Sequence, residues 1–319
     1  MMLMFLWLSL GLIILVQGAN WLVSGASALA RQYQISDLVI GLTIVAFGTS
    51  APELIVNIFS SLKGYQDLAV ANVLGSNIFN LFMILGLAGM ISPLVVQSTT
   101  IWNEIPLSLL AVLILLLLTN VTFLNGDPGL SRLDGMFLLV LFGLFLAYVF
   151  RQQKADSVES ETDERKLSGP KIWMFIILGL LGLVAGGELL VRNAVELARM
   201  MGVEEKIIGL TIVAAGTSLP ELATSVVAAI KKNNDIAVGN IIGSNIFNIL
   251  LILGMSSVIR PISYDPQFNR EILILCAGTV FLFVAMFTGK RQWLDRWEAA
   301  ILFLGFTVYT MVLIWGSVA

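Results

Sequence analysis

The 319 residues are 58% apolar and 12% charged, with a mean hydropathy of +0.93 and a formal charge of −3. An ordinary soluble domain carries roughly 25% charged residues, so this chain lacks the charge to coat a water-facing surface; its solvent is lipid, and nothing points to a nucleic-acid partner. With no histidine and Cys276 as the only cysteine, internal disulfides are excluded, as are imidazole or thiolate centres for zinc, copper or iron.

A stretch of ~20 mostly apolar residues crosses a hydrocarbon core about 30 Å thick. In chain order, ten such stretches stand near 5–30, 37–62, 68–92, 101–124, 131–151, 171–199, 206–230, 236–259, 270–289 and 297–316. The first is read as a retained helix, because no basic residue precedes it and it is too long for a signal-peptide core. Tight polar turns such as Arg31–Asp37, Lys63–Asp67 and Lys231–Asp235 separate neighbours. Residues 151–171 differ: they hold ten of the 39 charged residues, mixed with Ser, Thr, Gln and Gly. That composition cannot bury a core and reads as a mobile linker. It divides the chain into five-helix units at 1–150 and 172–319. With the N-terminus outside, eleven basic residues fall on the cytoplasmic side and six on the other. This bias places both termini outside and the linker in the cytoplasm of a multi-pass inner-membrane protein.

The two units are copies. Shifted by 168 residues, 10–93 lies over 178–261 without a gap, and 41–93 matches 209–261 at 28 of 53 positions. GLTIVAFGTSAPEL (41–54) faces GLTIVAAGTSLPEL (209–222), and NVLGSNIFN (72–80) faces NIIGSNIFN (240–248). An odd number of spans per copy turns the second copy over in the membrane. The expected fold is therefore all-α, with ten transmembrane helices in two inverted five-helix repeats, the plan of secondary transporters.

The repeated polar residues are those least suited to lipid. Pro52 and Pro220 lack an N–H and crowd the carbonyls of Gly48 and Gly216, predicting a kink in the second and seventh helices. Thr49, Ser50 and Glu53, with their copies Thr217, Ser218 and Glu221, are spaced to share one helical face. Asn72, Ser76 and Asn80 repeat every four residues on the third helix, as do Asn240, Ser244 and Asn248 on the eighth. Gly75 and Gly243 admit a close neighbour. Ser and Asn also serve as interhelical glue, so for Asn72, Asn77, Asn240 and Asn245 both roles stay open. The glutamates are harder to explain as packing, since a charge at the bilayer centre costs at least ~2.5 kcal/mol. Brought together, they supply a charge of −2 and up to four carboxylate oxygens. Hydroxyls, amides and main-chain oxygens would complete a shell of six to eight, which suits calcium; sodium could use subsets of the same oxygens.

GTSAPE and GTSLPE, each followed by GSNIFN, closely resemble the two alpha repeats of the cation/calcium exchanger superfamily, nearest to the sodium/calcium exchanger-like proteins of bacteria and archaea. The resemblance covers the whole ten-helix plan, with alpha motifs at about 41–93 and 209–261. It implies an antiporter that moves calcium against sodium, with four ion sites in a diamond at mid-membrane and no cofactor. By motif position, Glu53 and Glu221 would be ligands shared by both ions, and the carbonyls of Thr49 and Thr217 would complete the calcium site. Ser50, Ser218, Ser76 and Ser244, with main-chain oxygens of Ala46 and Ala214, would serve sodium. Asn80 and Asn248 would flank the middle site. One of these last two is an aspartate in part of the family, and here both are amides.

Three other functions are weighed. A proton-driven antiporter keeps the fold, since paired carboxylates in an apolar site favour protonation. An intramembrane serine enzyme lacks a base, with no histidine and no lysine inside a span. A channel suits two inverted halves around one site less well than alternating access does. Outside the motifs, Glu188, Arg192 and Glu196 step along the sixth helix at i+4 spacing and are read as a paired, snorkelling face. Glu104 and Glu271 are read as interface residues at helix starts.

Overall fold

The computed structural model describes residues 2–120, 128–152, 169–202 and 214–318. Its helices are α1 (Met2–Tyr33), α2 (Asp37–Thr49), α3 (Ala51–Lys63), α4 (Gln66–Ile91), α5 (Thr100–Asn120), α6 (Arg132–Arg151), α7 (Gly169–Met200), α8 (Leu219–Ile230), α9 (Asn234–Ile259), α10 (Asn269–Ala285) and α11 (Arg296–Val318). Among the described residues, eight helices are long and apolar enough to cross a membrane, and the bent pair α2–α3 makes a ninth span. The expected seventh span, 206–230, is represented by a single turn at Ala214–Gly216 and by α8; its earlier residues, and most of the 151–171 linker, lie outside the described residues.

Local chemistry explains the punctuation. Ser36 caps α2 by accepting from the Val39 N–H. Gly64 ends α3 in the left-handed region at φ +83°, where a side chain would be strained and would also meet the Arg260 guanidinium. Ser131 and Asp134 form a reciprocal capping box that starts α6. At α11 the Asp295 N–H donates to Glu298 Oε2 at 2.8 Å. Leu130–Asp134 and Leu294–Glu298, 164 residues apart, thus share a backbone N–H donating to a carboxylate three residues on.

Packing ranks the helices. In the most apolar 18-residue stretch of α9, 94% of residues are buried, against 67% in α4 and 17% in α11. So α4 and α9 form the centre. The outer helices turn Ile13, Leu144 and Met311 outward at 65%, 62% and 64% exposure, an apolar belt that only lipid can cover.

Two short antiparallel ladders join the halves. β1 (Leu94–Val95), after α4, pairs with β4 (Trp293–Leu294), before α11. β2 (Gly129–Leu130), before α6, pairs with β3 (Ile262–Ser263), after α9. Each ladder ties the end of one half's third helix to the start of the other half's fifth.

The long helices α1 and α7 pack along glycines. Gly11 lies against Gly186 and Leu190, Gly18 against Gly179 and Leu183, and Gly25 against Ile176. Numbers rise along one helix as they fall along the other, so the pair is antiparallel. A Cβ on Gly179 would stand 2.6 Å from the Leu22 nitrogen, with rigid backbone on the opposing side. Gly179→Leu should therefore force the helices apart and destabilise the fold by about 1–3 kcal/mol, read as a lower midpoint of thermal unfolding in detergent. An unchanged midpoint would show that this contact is not a tight one.

Candidate functional site

The site begins where two helices break. The axes of α2 and α3 differ by 47°, and Ser50, at φ −81° and ψ 6°, is the residue between them. The kinked, broken second helix that Pro52 predicts is found here. Pro52 lies in the first turn of α3, where its missing N–H is not needed. A helix therefore restarts at Ala51 instead of bending through. Thr49, Ser50 and Glu53 meet at this junction, across which the Ser50 N–H still donates to the Ala46 carbonyl and the Leu54 N–H to the Ser50 carbonyl. The second copy repeats the break: Ser218, at φ −91° and ψ 7°, precedes α8, with Pro220 and Glu221 in its first turn. Both carboxylates thus stand at helix N-termini, where the unpaired N–H groups and the macrodipole favour negative charge.

Small residues bring α9 against the break in α2. A Cβ on Gly243 would lie 2.9 Å from the Ala46 Cβ and 3.0 Å from the Leu42 Cα, and Gly239 is nearly as close to Leu38 and Leu42. This approach sets Asn240 and Ser244 beside Thr49 and Ser50. Thr49 Oγ1 donates to Asn240 Oδ1 at 3.0 Å, and Ser50 Oγ lies 3.0 Å from Ser244 Oγ.

The carboxylates are held crosswise. Ser50 donates to Glu221 Oε1 at 2.9 Å, and Ser218 donates to Glu53 Oε1 at 2.9 Å. The 168-residue shift exchanges these two bonds. Ser76 adds a longer contact of 3.4 Å to Glu53 Oε1. Glu53 and Glu221 are 1% and 0% exposed. Beneath them, Asn80 Nδ2 donates to Asn245 Oδ1 at 3.1 Å, and Asn248 Nδ2 donates to Asn77 Oδ1 at 2.9 Å.

Among the described residues the second oxygens have no partner. Glu53 Oε2, Glu221 Oε2, Asn80 Oδ1 and Asn248 Oδ1 are all buried without a hydrogen-bond donor. Such groups normally find partners, and one left without costs about 1–3 kcal/mol, more when charged. Four acceptor oxygens, two from each copy, with no histidine or thiol nearby, suit a hard cation and repel an anion.

Of the other expected residues, Ala46 uses its carbonyl to accept from the Ser50 N–H at 3.0 Å and from Thr49 Oγ1 at 3.3 Å. Ser218 donates its N–H to Ala215, not to Ala214, at 3.2 Å. Thr217 is half-buried, and its hydroxyl has no partner. Pattern reading missed four π-helical stretches among the described residues, Gly41–Val45, Phe79–Ile84, Thr100–Glu104 and Asn248–Leu253; two of them contain Asn80 and Asn248, and such bulges are frequent at functional sites. Glu104 is a further correction. It is fully buried and accepts from Tyr148 Oη at 2.6 Å, far from an ordinary interface position. Glu188, Arg192 and Glu196 are exposed along one face of α7.

The sequence profile of the family described as sodium/calcium exchanger protein matches residues 3–151 and 171–315. The chain belongs to the sodium/calcium exchanger family. The inner membrane protein YrbG of Escherichia coli is 38% identical over 322 residues, which span 97% of this chain and 96% of that one. The sodium/calcium exchanger MaX1 of Methanosarcina acetivorans is 32% identical over 349 residues, spanning 97% and 98%. Among solved structures, the sodium-calcium exchanger NCX_Mj superposes with a TM-score of 0.83 at 30% identity, covering 98% of this chain and 99% of that one. This family member is a multi-pass membrane transporter with the fold of an exchanger. Within it, the crosswise serines have a measurable weight. Ser50→Ala or Ser218→Ala removes a donor to a buried carboxylate and should lower the stability of the ion-free protein by about 1.5–3 kcal/mol. Thermal unfolding in chelator checks this; wild-type midpoints in both variants would mean the crosswise bonds are not formed.

Proposed function

We propose that the chain is a secondary antiporter that exchanges calcium for sodium across the cell's inner membrane by alternating access. The observation that carries this reading is the set of four unpartnered oxygens on Glu53, Glu221, Asn80 and Asn248. In the proposed assignment the two glutamates are central ligands shared by calcium and sodium, and the carbonyls of Thr49 and Thr217 complete the calcium site. Ser50, Ser218, Ser76 and Ser244, with main-chain oxygens of Ala46 and Ala214, serve sodium, and Asn80 and Asn248 flank the middle. Two carboxylates carry −2, which one calcium or two sodium ions balance; a third sodium would leave uncompensated charge in a low-dielectric site.

Ten helices in two inverted repeats, 1–150 and 172–319, with 151–171 as a cytoplasmic linker, form the proposed frame. The antiparallel α1 and α7 and the crosswise bonds support it. Alternating access draws support from an asymmetry. On one side Thr49 joins Asn240, and Asn240 donates to Ser225 at 2.9 Å. On the other, Thr217 Oγ1, Asn72 Nδ2 and Asn57 Oδ1, their counterparts or neighbours, have no partners. The two halves thus engage the centre to different degrees, as a protein open to one side at a time requires.

In proteoliposomes, calcium uptake should be driven by an outward sodium gradient and not by potassium or proton gradients of equal size. Glu53→Gln and Glu221→Gln should abolish uptake, because each removes a charge with little change of shape, while leaving a folded, inserted protein. Uptake driven equally by protons would replace the sodium reading, and near-wild-type flux in either variant would remove the ligand assignment. Tags at both termini should be reached from outside the cell and a tag in 151–171 only from inside; termini on opposite faces would eliminate the ten-span frame.

A further inference from the structure

Asn77 and Asn245, at 0% and 3% exposure, touch none of the carboxylates by any hydrogen bond described above. They sit between α4 and α9 and bind each other's backbone. Asn77 Nδ2 donates to the Asn245 main-chain oxygen at 3.2 Å, and Asn245 Nδ2 donates to the Asn77 main-chain oxygen at 3.5 Å. Each then uses its side-chain oxygen to accept from the site amide of the opposite half, Asn248 or Asn80.

The order of these bonds has a direction. A main-chain carbonyl can only accept, so it fixes which end of the Asn77 amide faces it: the NH2. The Asn77 oxygen must then point the other way, toward Asn248. An oxygen facing Asn248 can bind only its NH2, which leaves Asn248 Oδ1 as the end turned away. The same chain runs from the Asn77 carbonyl through Asn245 to Asn80. Asn80 Oδ1 and Asn248 Oδ1 are the two amide oxygens left without donors.

We infer that Asn77 and Asn245 are positioning residues that set the amide polarity of the cation site, each forcing its partner, Asn248 or Asn80, to present oxygen and not NH2. The inference rests on the cation-site reading above. A free primary amide can present either end. With NH2 inward it offers partial positive charge and a donor where a cation needs an acceptor. An aspartate needs no such help, because both its oxygens accept. This chain, with amides at both positions, therefore depends on the clasp in a way that an aspartate-bearing site would not. The clasp also separates a role for the GSNIFN asparagines from general helix glue: their contribution is the direction of a dipole.

The test is a pair of double-mutant cycles, read as calcium affinity of purified protein and as exchange in proteoliposomes. Asn77→Leu should weaken calcium binding by about ten-fold or more, the loss expected when a ligand oxygen is replaced by a donor. The same change should have little effect in an Asn248→Asp background and its full effect in an Asn80→Asp background. Asn245→Leu should show the mirror pattern, silent with Asn80→Asp and costly with Asn248→Asp. A structural role alone predicts equal losses in both backgrounds and would overturn the inference, as would unchanged affinity in Asn77→Leu. Should the leucine variants fail to fold, wild-type protein labelled with 15N-asparagine carries the test. The NH2 protons of Asn80 and Asn248, assigned by their Asp variants, should be protected from solvent exchange with and without calcium; rapid exchange in the ion-free state would sink the clasp. Wild-type protein that neither binds nor exchanges calcium would instead overturn the cation reading, an outcome distinct from any of these.

Discussion

Two glutamate side chains are fully buried about the centre of a chain whose outer surface belongs to lipid, and the rest of the structure can be traced from the need to accommodate them. Neither has a basic partner among the groups that hold it. What each has is a helix N-terminus, a serine from the opposite copy and one oxygen left over. Backbone and side-chain polar groups at membrane depth must be satisfied inside the protein or by what enters it. The helix breaks at Ser50 and Ser218 create the N-termini, the prolines fit the first turn of each restarted helix, and the glycines of α9 let the opposite copy come close enough for a hydroxyl to reach across.

The bonds come in pairs that the duplication exchanges. Ser50 to Glu221 has its image in Ser218 to Glu53; Asn80 to Asn245 has its image in Asn248 to Asn77; each of the two strand ladders has the other. Departures from the pairing are equally informative. Thr49 is bonded where Thr217 is not, and Gly243 is packed tightly against α2. The two copies of one sequence thus stand in different surroundings.

The stripes of Ser and Asn are held by two different kinds of bond. Ser50 and Ser218 give their protons to carboxylates, whereas Asn77 and Asn245 spend theirs on backbone carbonyls. The first arrangement leaves a carboxylate oxygen free for an ion, and the second leaves an amide oxygen free. In both, donors are consumed within the protein so that acceptors remain.

Much was legible without coordinates. Apolar runs of about 20 residues located the helices, because in lipid the backbone must close its own hydrogen bonds over the full span. The duplicated GTSAPEL and GTSLPEL segments marked the site, because a carboxylate beside a proline has no cheap structural explanation at that depth. Tertiary structure decided what depends on partners distant in sequence. That Pro52 stands in the first turn of a new helix, and not inside a bent one, is read only from the backbone at Ser50. Glu104 is buried because Tyr148 reaches it from another helix. The π-helical turns at Phe79–Ile84 and Asn248–Leu253 have no turn residue or proline to announce them in the sequence. The orientation of the asparagine amides is the clearest case. The sequence names an amide at 77, 80, 245 and 248, but an amide has two ends, and only a main-chain carbonyl 168 residues away decides which oxygens are left without a donor.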